Sequence, residues 1–472
     1  MLENKNHKGM NYFMLFFISL SFIFSSCSKD PVINPVSDRY EVKVDVRDSA
    51  YLKIKDIYLW SELLPSIEEF KPRNSADIFA VMAKVRTYQP LDRFSFVEKN
   101  ADTDNSNQGL DTDFGFLVKF FSGTTDLRVN YVYKSSPGGN AGVTRGWRIL
   151  ELNGKTIDGS KQADLDYLND VFLGTKQSAD FKFQKLDGTV VSMTLNKGMY
   201  ALNTVLYKNI YTYGSKKIGY MVFNEFSGIS SVYELTNAID YFQSNGTNEM
   251  IVDLRYNRGG FVSTQDTLAN MLAPQSVGRG KQIMYKYIFN QKYSSWNETT
   301  YFNKASNLNL NKIVFIVTPA SASASELLIN NLRPVMNVKL VGENRTYGKP
   351  VGFFPIPVFN YNIYPVSFKT VNSVGSADYY EGFPVDKNTV DDLSRDFGDV
   401  NEASLKQALN YINTGAFTAI TPKRILSSSG SVSEFQLNGI NEYLNKPVRK
   451  ISIENRPSKM PTPIRDLQSK FK

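Results

Sequence analysis

One serine in this chain stands where a nucleophile could be activated. Ser323 follows the apolar run Ile313–Val317, which predicts a strand, and it begins an apolar stretch that predicts a helix ending near Leu332. A serine at a helix N-terminus presents its hydroxyl beside unpaired backbone N–H groups and the positive end of the helix dipole, which would stabilise an oxyanion. The pattern therefore points to acyl transfer through the serine hydroxyl.

The base for such a serine cannot be histidine. The only histidine is His7, in a segment that the mature protein should lose, which excludes a Ser-His-Asp triad and every histidine metal site. A lysine must then take the proton, although its ordinary pKa of about 10.4 keeps it charged at neutral pH unless burial lowers that pKa by about 3 to 5 units. Lys349 has apolar neighbours that could bury it, namely Val351, Phe353 and Phe354.

Each motif also has an interpretation without chemistry. Ser323 with Glu326 fits a capping box, which needs only a helix start. The run Asp253–Gly260 could be a tight strand-to-loop turn. The run Gly342–Lys349 could be mistaken for a phosphate loop, but it has five residues between its glycines and is followed by Pro350 instead of Ser or Thr, so it is a poor nucleotide site. Only the conjunction of the three motifs favours catalysis.

The elements around these motifs alternate between strand and helix. Apolar runs and helical spacing predict strands at Ile218–Phe223, Met250–Leu254, Ile313–Val317 and Val338–Val341, and helices at Val232–Phe242, Ser323–Leu332 and Glu402–Ile412. This order is typical of an α/β domain.

Taken together, the three motifs resemble those of the carboxyl-terminal processing (tail-specific) proteases, the S41 family of Ser-Lys endopeptidases. The resemblance covers about Phe114 to Ile412 and implies a ClpP/crotonase-like core. By position, Ser323 matches the family's nucleophile and Lys349 its general base. The resemblance implies no metal or organic cofactor. It also implies a protein or peptide substrate with a free C-terminus.

The resemblance assigns further residues and shows one departure. The backbone N–H groups of Ala324 and of Gly259 or Gly260 match the family's oxyanion hole. Many members carry Gln four residues after the lysine to orient it, but Phe353 stands there in this chain, so something else must hold Lys349. An alternative therefore stays open, in which the chain is a catalytically inactive, lipid-anchored peptide-binding protein.

The segment from Asp111 to Asn196 is similar to a PDZ domain of the bacterial protease type, on the strength of SSPGGNAGV (135–143) and GWRILELNG (146–154). The loop Phe114, Gly115 and Phe116 is the predicted peptide-binding site, where an exposed strand edge would accept an extended peptide and loop N–H groups would face a C-terminal carboxylate. The segment departs from the PDZ pattern at Asp113, where Gly is common, and at Trp147, where Asp is usual. A β-rich spacer that binds nothing is the alternative.

The first residues predict export. Basic Lys5 and Lys8 precede the apolar run Tyr12–Phe24, which fits a signal peptide and is too short for a comfortable membrane span. Cys27, the only cysteine, resembles a lipobox cysteine and is the predicted lipidation site, although an ordinary signal with an incidental cysteine is the alternative. We therefore expect a lipid-anchored protein of a Gram-negative cell envelope, on a periplasmic or outer-membrane face.

Composition excludes a nucleic-acid partner. The net charge is +8, but the last fifty residues carry ten Lys and Arg against four Asp and Glu, so the rest is nearly neutral and has no basic stripe. The predicted fold is multidomain α+β, with a signal peptide (1–26), a tether (27–39), a small helical domain (40–105), a PDZ-like domain (106–200), a protease domain (205–415) and a basic extension (416–472).

Overall fold

The computed structural model describes residues 45–99, 110–121 and 123–418. The predicted signal peptide, Cys27 and the tether lie outside the described residues, and so does the basic extension after residue 418. Within the described ranges, no helix is both long enough and apolar enough to cross a membrane.

Helices and strands are interleaved along the described part of the chain. The helices are α1 (Val46–Ile57), α2 (Ile67–Phe70), α3 (Ile78–Arg86), α4 (Pro137–Asn140), α5 (Gln162–Leu173), α6 (Ile229–Ser244), α7 (Val262–Leu272), α8 (Ala324–Leu332) and α9 (Ala403–Thr414). The strands are β1 (Phe96–Lys99), β2 (Leu110–Asp113), β3 (Phe116–Phe120), β4 (Leu127–Val132), β5 (Arg148–Leu152), β6 (Ser178–Gln184), β7 (Val190–Asn196), β8 (Gly198–Ala201), β9 (Val205–Tyr213), β10 (Lys216–Phe223), β11 (Glu249–Asp253), β12 (Arg279–Phe289), β13 (Thr299–Asn303), β14 (Lys312–Val317), β15 (Asn337–Gly342), β16 (Val351–Gly352), β17 (Ile356–Val358), β18 (Tyr361–Tyr364), β19 (Phe368–Asn372) and β20 (Lys387–Asn388). The mixed α/β multidomain fold predicted from the sequence is confirmed.

The central sheet places the predicted nucleophile. Its strand order is β20-β15-β14-β11-β10-β9, with β9 antiparallel and the others parallel. Alternate residues of β14 enter different hydrophobic clusters: Ile313 and Phe315 lie with α6, α7 and α8, whereas Val314 and Ile316 lie with α9. Because these strands are buried on both faces, their sequences are continuous apolar runs. The carboxyl ends of β11, β14 and β15 lead into the three motifs.

A second layer of strands builds the other wall of the site. One sheet has the order β13-β12-β19-β16, and another has the order β1-β18-β17. The N-terminal segment contributes β1, which pairs antiparallel with β18. The fully buried side chains Tyr51, Ile54 and Phe70 of this segment belong to the same hydrophobic cluster as Phe353 and Phe354. The helical segment therefore packs into the core beside the candidate site.

The β-rich segment has a core of its own. Its antiparallel sheet has the order β3-β4-β5-β6-β7, and the side chains of Phe114, Phe116, Phe181 and Phe183 lie at its centre. Strands β2 and β8 pair at the junction with the rest of the chain. The identification of this segment as PDZ-like stays a prediction, as do the domain boundaries.

Candidate active site

Ser323 lies at the turn between β14 and α8, directly before the first residue of the helix. Its φ of 57° is in the left-handed region, which is uncommon for a residue with a side chain and costs conformational energy. The surrounding contacts must hold the serine in this strained conformation, as is frequent at active sites.

Lys349 lies in the loop after β15 and is 7% exposed. Its predicted neighbours Val351, Phe353 and Phe354 are buried with it. Burial lowers the pKa of the Lys349 amine to about 7, against the opposing effect of the negative charges of Glu326 and Asp92. Burial disfavours the charged ammonium, so part of this amine is neutral at neutral pH.

Glu326 connects the serine to the lysine. Its fully buried carboxylate accepts hydrogen bonds from Ser323 N (3.0 Å), Gly348 N (2.6 Å), Lys349 N (2.8 Å) and Thr346 Oγ1 (2.6 Å). Burial raises the pKa of Glu326, while these hydrogen bonds act in the opposite direction. The glutamate predicted as a helix cap therefore also fixes the backbone on both sides of the candidate dyad.

Phe353 lies against the lysine amine, at the position where the family usually has Gln. The Nζ atom of Lys349 is 3.9 Å from the centroid of the Phe353 ring. The ring is held edge-on by Phe96, at 5.3 Å between centroids, and by Tyr364, at 5.8 Å. A ring face attracts a cation, so this contact orients the amine and favours its protonated form.

The glycine loop passes beside the serine. A Cβ atom at Gly259 would lie 2.8 Å from Ser323 Cβ and 2.9 Å from Ala324 N, so only glycine fits there, and its φ of 102° also favours glycine. The N–H of Gly259 donates to Asn257 Oδ1 at 2.9 Å. Gly260 and Ala324 both line the cavity that contains Ser323. Of the two predicted glycines, Gly260 is therefore the better candidate for an oxyanion donor beside Ala324.

Arg93 clamps the lysine loop from the N-terminal segment. Its guanidinium donates to the carbonyl oxygens of Tyr347 (2.8 Å), Gly348 (3.2 Å) and Tyr380 (2.9 Å). The two residues directly before Lys349 are thereby tied to the segment that begins at Tyr379. Arg93 is not among the residues predicted from the sequence, because nothing in its local pattern distinguishes it from a surface arginine.

One cavity joins the candidate residues, with about 680 Å³ of empty space, part of it open to solvent. Ser323 and Lys349 both line it. Its other walls are mostly apolar or aromatic and are formed by Phe261, Val262, Tyr287, Leu327, Val351, Phe353, Phe354, Phe368 and Tyr379. A cavity of this kind can bury an apolar side chain beside a nucleophile.

The predicted peptide-binding residues lie in the β-rich segment. The rings of Phe114 and Phe116 are buried in its core, at 0% and 3% exposure. The N–H of Gly115 donates to the side-chain oxygen of Asp113 at 2.5 Å. Neither phenylalanine ring therefore offers an exposed contact surface.

Comparison with known proteins supports the motif assignment. Residues 217–369 match the model described as Peptidase family S41. The carboxy-terminal processing protease CtpA of Bacillus subtilis (strain 168) is 26% identical over 216 residues, which cover 46% of this chain and 43% of that protein. A CtpA-like serine protease of Staphylococcus aureus (strain MRSA252) is 23% identical over 306 residues, covering 63% and 56%. The chain thus spans about half the length of these relatives.

The fold has a match among solved structures as well. The crystal structure of an S41 protease from Bacteroides fragilis NCTC 9343 is similar with a TM-score of 0.63 and 24% identity, covering 78% of this chain and 97% of that one. Residues 217–369 thus match peptidase family S41 in sequence, and the chain shares its fold with the S41 protease structure.

Proposed function

We propose that this chain is a serine endopeptidase that uses Ser323 as nucleophile and Lys349 as general base. The observation that carries the proposal is the buried Lys349 amine, with its pKa lowered to about 7, in the same cavity as a serine at a helix start. An ordinary lysine would be almost wholly protonated at neutral pH and could not accept the serine proton.

The reaction proceeds through an acyl-enzyme. Neutral Lys349 accepts the hydroxyl proton while Ser323 Oγ attacks the peptide carbonyl carbon, and the oxyanion faces the N–H groups of Ala324 and Gly260. Collapse of this intermediate breaks the C–N bond, and Lys349 returns the proton to the leaving amine. Water then attacks the ester, again deprotonated by Lys349, which releases the carboxylic product and restores the serine.

The test follows cleavage of an unfolded, fluorescently labelled protein from about pH 5 to pH 10. Only the neutral amine can act, so kcat/KM should rise with a midpoint near the Lys349 pKa of about 7 and level off above it. Ser323→Ala and Lys349→Ala should abolish cleavage, with Ser404→Ala, a buried serine outside the cavity, as the matched control. Cleavage that survives Ser323→Ala contradicts the proposal, and a folded but inert wild type that binds peptides supports the alternative of a peptide-binding protein.

We further propose that the protein is anchored to the cell envelope through Cys27. Support comes from the sequence alone, in the apolar run Tyr12–Phe24 and the small residues directly before the cysteine. Metabolic labelling with a fatty acid should mark the wild type and not Cys27→Ser. Equal labelling of both would contradict the anchor.

A further inference from the structure

A chain of three polar side chains ends at the cavity of the candidate site. The hydroxyl oxygen of Tyr285 lies 3.0 Å from Asp266 Oδ2 and 3.2 Å from the hydroxyl oxygen of Tyr287. Asp266 belongs to α7, and the two tyrosines alternate with Lys286 on β12, so they share one face of that strand. Of the three, Tyr287 lines the cavity that contains Ser323. The chain therefore runs from helix α7 to the cavity wall.

The ring of Tyr287 is held in place by its neighbours. Its centroid lies 5.1 Å from that of Tyr285 and 5.1 Å from that of Phe368, with both pairs arranged edge to face. The backbone N–H of Tyr287 donates to the carbonyl of Glu298 at 2.9 Å, and the residue is buried. The hydroxyl therefore has a set position before a substrate enters the cavity.

The protonation of Asp266 decides in which direction the hydrogen bonds of this chain run. Each phenol has one hydrogen, so a neutral Asp266 donates to Tyr285, Tyr285 donates to Tyr287, and the hydrogen of Tyr287 is left for the cavity. An ionised Asp266 can only accept, so the chain then runs the opposite way and leaves no hydrogen for the cavity. Thr300, which lies opposite Tyr285 on the paired strand, also bonds to the Tyr285 hydroxyl.

The surroundings of Asp266 favour its neutral form. The residue as a whole is half-buried, but its Oδ1 atom is buried and has no hydrogen-bond partner among the described residues. An ionised carboxylate would leave a charged oxygen unpaired there. Burial raises the pKa of Asp266 to about 8, against the opposing effect of the hydrogen bond with Tyr285. Burial also raises the pKa of Tyr287, so that hydroxyl keeps its hydrogen.

The rest of the cavity wall makes this donor selective. Most of the other lining side chains are apolar or aromatic. A side chain that fills the cavity displaces the water that would bond to the Tyr287 hydroxyl, so a hydrocarbon side chain leaves the donor unpaired. A charged side chain would lose its hydration against an apolar wall. An uncharged oxygen atom avoids both costs.

We infer that Tyr287 is a specificity-determining residue, whose hydroxyl donates a hydrogen bond to an uncharged oxygen of the substrate side chain that enters the cavity, and that Tyr285 and Asp266 position this hydroxyl. The inference rests on the proposed function and adds to it the class of side chain held beside the scissile bond. This side chain carries an amide or ether oxygen.

The test measures binding in the Ser323→Ala protein, so that cleavage does not interfere. Two fluorescein-labelled decapeptides of glycine and alanine carry one longer central side chain, either norleucine or its ether isostere O-methylhomoserine. The preference is the dissociation constant of the norleucine peptide divided by that of the ether peptide, measured by fluorescence anisotropy. Adding Tyr287→Phe should lower this preference by roughly threefold to tenfold, because the hydrogen bond to the ether is lost.

Two results of this measurement would overturn the inference. One is an unchanged preference in a folded Tyr287→Phe protein, and the other is failure of both peptides to bind the Ser323→Ala protein. The comparison between two peptides and two proteins cancels the difference in hydration between the ether and the hydrocarbon, so the change in preference reports the hydroxyl alone.

Two further variants test the positioning chain. Asp266→Asn keeps an N–H donor for Tyr285, as the neutral acid does, so the preference should stay within about twofold of the parent value. Tyr285→Phe breaks the chain and lets the Tyr287 hydroxyl rotate, so the preference should fall by about twofold to threefold. Loss of the preference in a folded Asp266→Asn protein contradicts the neutral acid, and full preference in Tyr285→Phe contradicts the positioning role.

Tyr220→Phe is the matched control, because the buried Tyr220 hydroxyl also bonds to an aspartate, Asp253 Oδ2 at 2.9 Å, but lies outside the cavity wall. It should keep the preference. Tyr379 also lines the cavity. A preference that is lost in Tyr379→Phe and kept in Tyr287→Phe would overturn the assignment to Tyr287.

These outcomes are separable from the proposed function. Peptide binding is measured in a protein that lacks the nucleophile, whereas proteolysis is measured in the protein that retains it. A Tyr287-dependent preference without proteolysis leaves the inference standing and removes the peptidase. Proteolysis without that preference removes the inference and leaves the peptidase.

Discussion

Two opposing influences set the pKa of Lys349. Burial lowers its pKa to about 7, and the charges of Glu326 and Asp92 pull the pKa upward. The Phe353 face at 3.9 Å also stabilises the ammonium. The aromatic ring thus contacts the amine without supplying a hydrogen-bond acceptor.

The contribution of the ring can be measured through Phe353→Leu. Loss of a cation–π contact worth about 0.5 to 2 kcal/mol should lower the pKa of Lys349, and the alkaline-rising limb of kcat/KM should move by roughly 0.4 to 1.5 pH units toward acid. The value of kcat should also fall, because the amine loses its support. The pH profile of cleavage provides the measurement.

Phe354→Leu is the matched control, because Phe354 lines the same cavity and is equally buried, at 4% exposure. The alkaline-rising limb of kcat/KM in Phe354→Leu should stay close to that of the wild type. A shift toward alkaline pH in Phe353→Leu, or equal shifts in the two variants, would contradict the role of the ring.

At the scale of elements, the geometry of the candidate dyad depends on how helix α8 is joined to the loop after β15. Glu326→Gln places an amide NH2 group against N–H donors that now point at carboxylate oxygens, so at least one hydrogen bond becomes a repulsive contact. We expect kcat to fall strongly with little change in KM, and the free energy of unfolding to drop by about 1 to 3 kcal/mol. Asp386→Asn, whose carboxylate accepts from Leu340 N outside the cavity, should leave kcat nearly unchanged. An equal decrease of kcat in Glu326→Gln and Asp386→Asn would refute a specific role for Glu326.

The clamp from the N-terminal segment is a second link between elements. Arg93→Ala removes donors to three carbonyls around the lysine loop, so kcat should fall while KM changes little, and Arg93→Lys should recover part of the loss. Steady-state kinetics on the unfolded protein substrate provide the measurement. Arg73→Ala, which breaks a surface ion pair with Asp48, serves as the control and should behave like the wild type. The clamp is ruled out if Arg93→Ala retains full kcat.

The parts of the fold that could be predicted are those with local signals. Strand β14 and helix α8 follow from an apolar run, a serine and a helical apolar stretch within about twenty residues, and the structure places both there. The pairing of β12 with β19 joins Phe289 to Phe368, which are distant in sequence, so no local pattern indicates it. The contacts of Glu326 with the lysine loop, and those of Arg93, have no local signal for the same reason, since they exist only after remote loops meet.

At the scale of the whole molecule, a buried charge network joins the β-rich segment to the glycine loop. Asp391, fully buried, accepts from Arg145 (2.8 Å), Arg255 (3.1 Å) and the hydroxyl of Tyr256 (2.6 Å). Arg145 lies between the two stretches that resemble a PDZ domain, whereas Arg255 and Tyr256 lead into the glycine loop. The position of the β-rich segment is therefore tied to the loop that supplies Gly260.

Asp391→Asn tests this connection. Removing the charge leaves Arg145 buried without its carboxylate partner, whereas Arg255 keeps Asp253 and Glu402. The free energy of unfolding should therefore fall by about 3 to 5 kcal/mol in urea titrations. Asp170→Asn, which breaks a half-exposed pair with Lys176, should leave that free energy nearly unchanged. The prediction fails if the free energy of unfolding falls by the same small amount in Asp391→Asn and Asp170→Asn.

The network also sets an acid limit on stability. The guanidinium of Arg145, together with Lys119 and Arg255, holds the pKa of Asp391 well below its usual range in spite of burial, and Arg255 lowers the pKa of Glu402. Because a depressed carboxyl pKa means that the unfolded state binds protons first, this stabilisation is complete above the unfolded value of about 4 and is lost as the pH falls below it. Thermal melts of the wild type should therefore lose stability steeply below about pH 4, and Asp391→Asn should show a shallower loss over the same range. If melting temperature falls equally with pH in the two proteins, Asp391 is not the group that makes stability depend on pH.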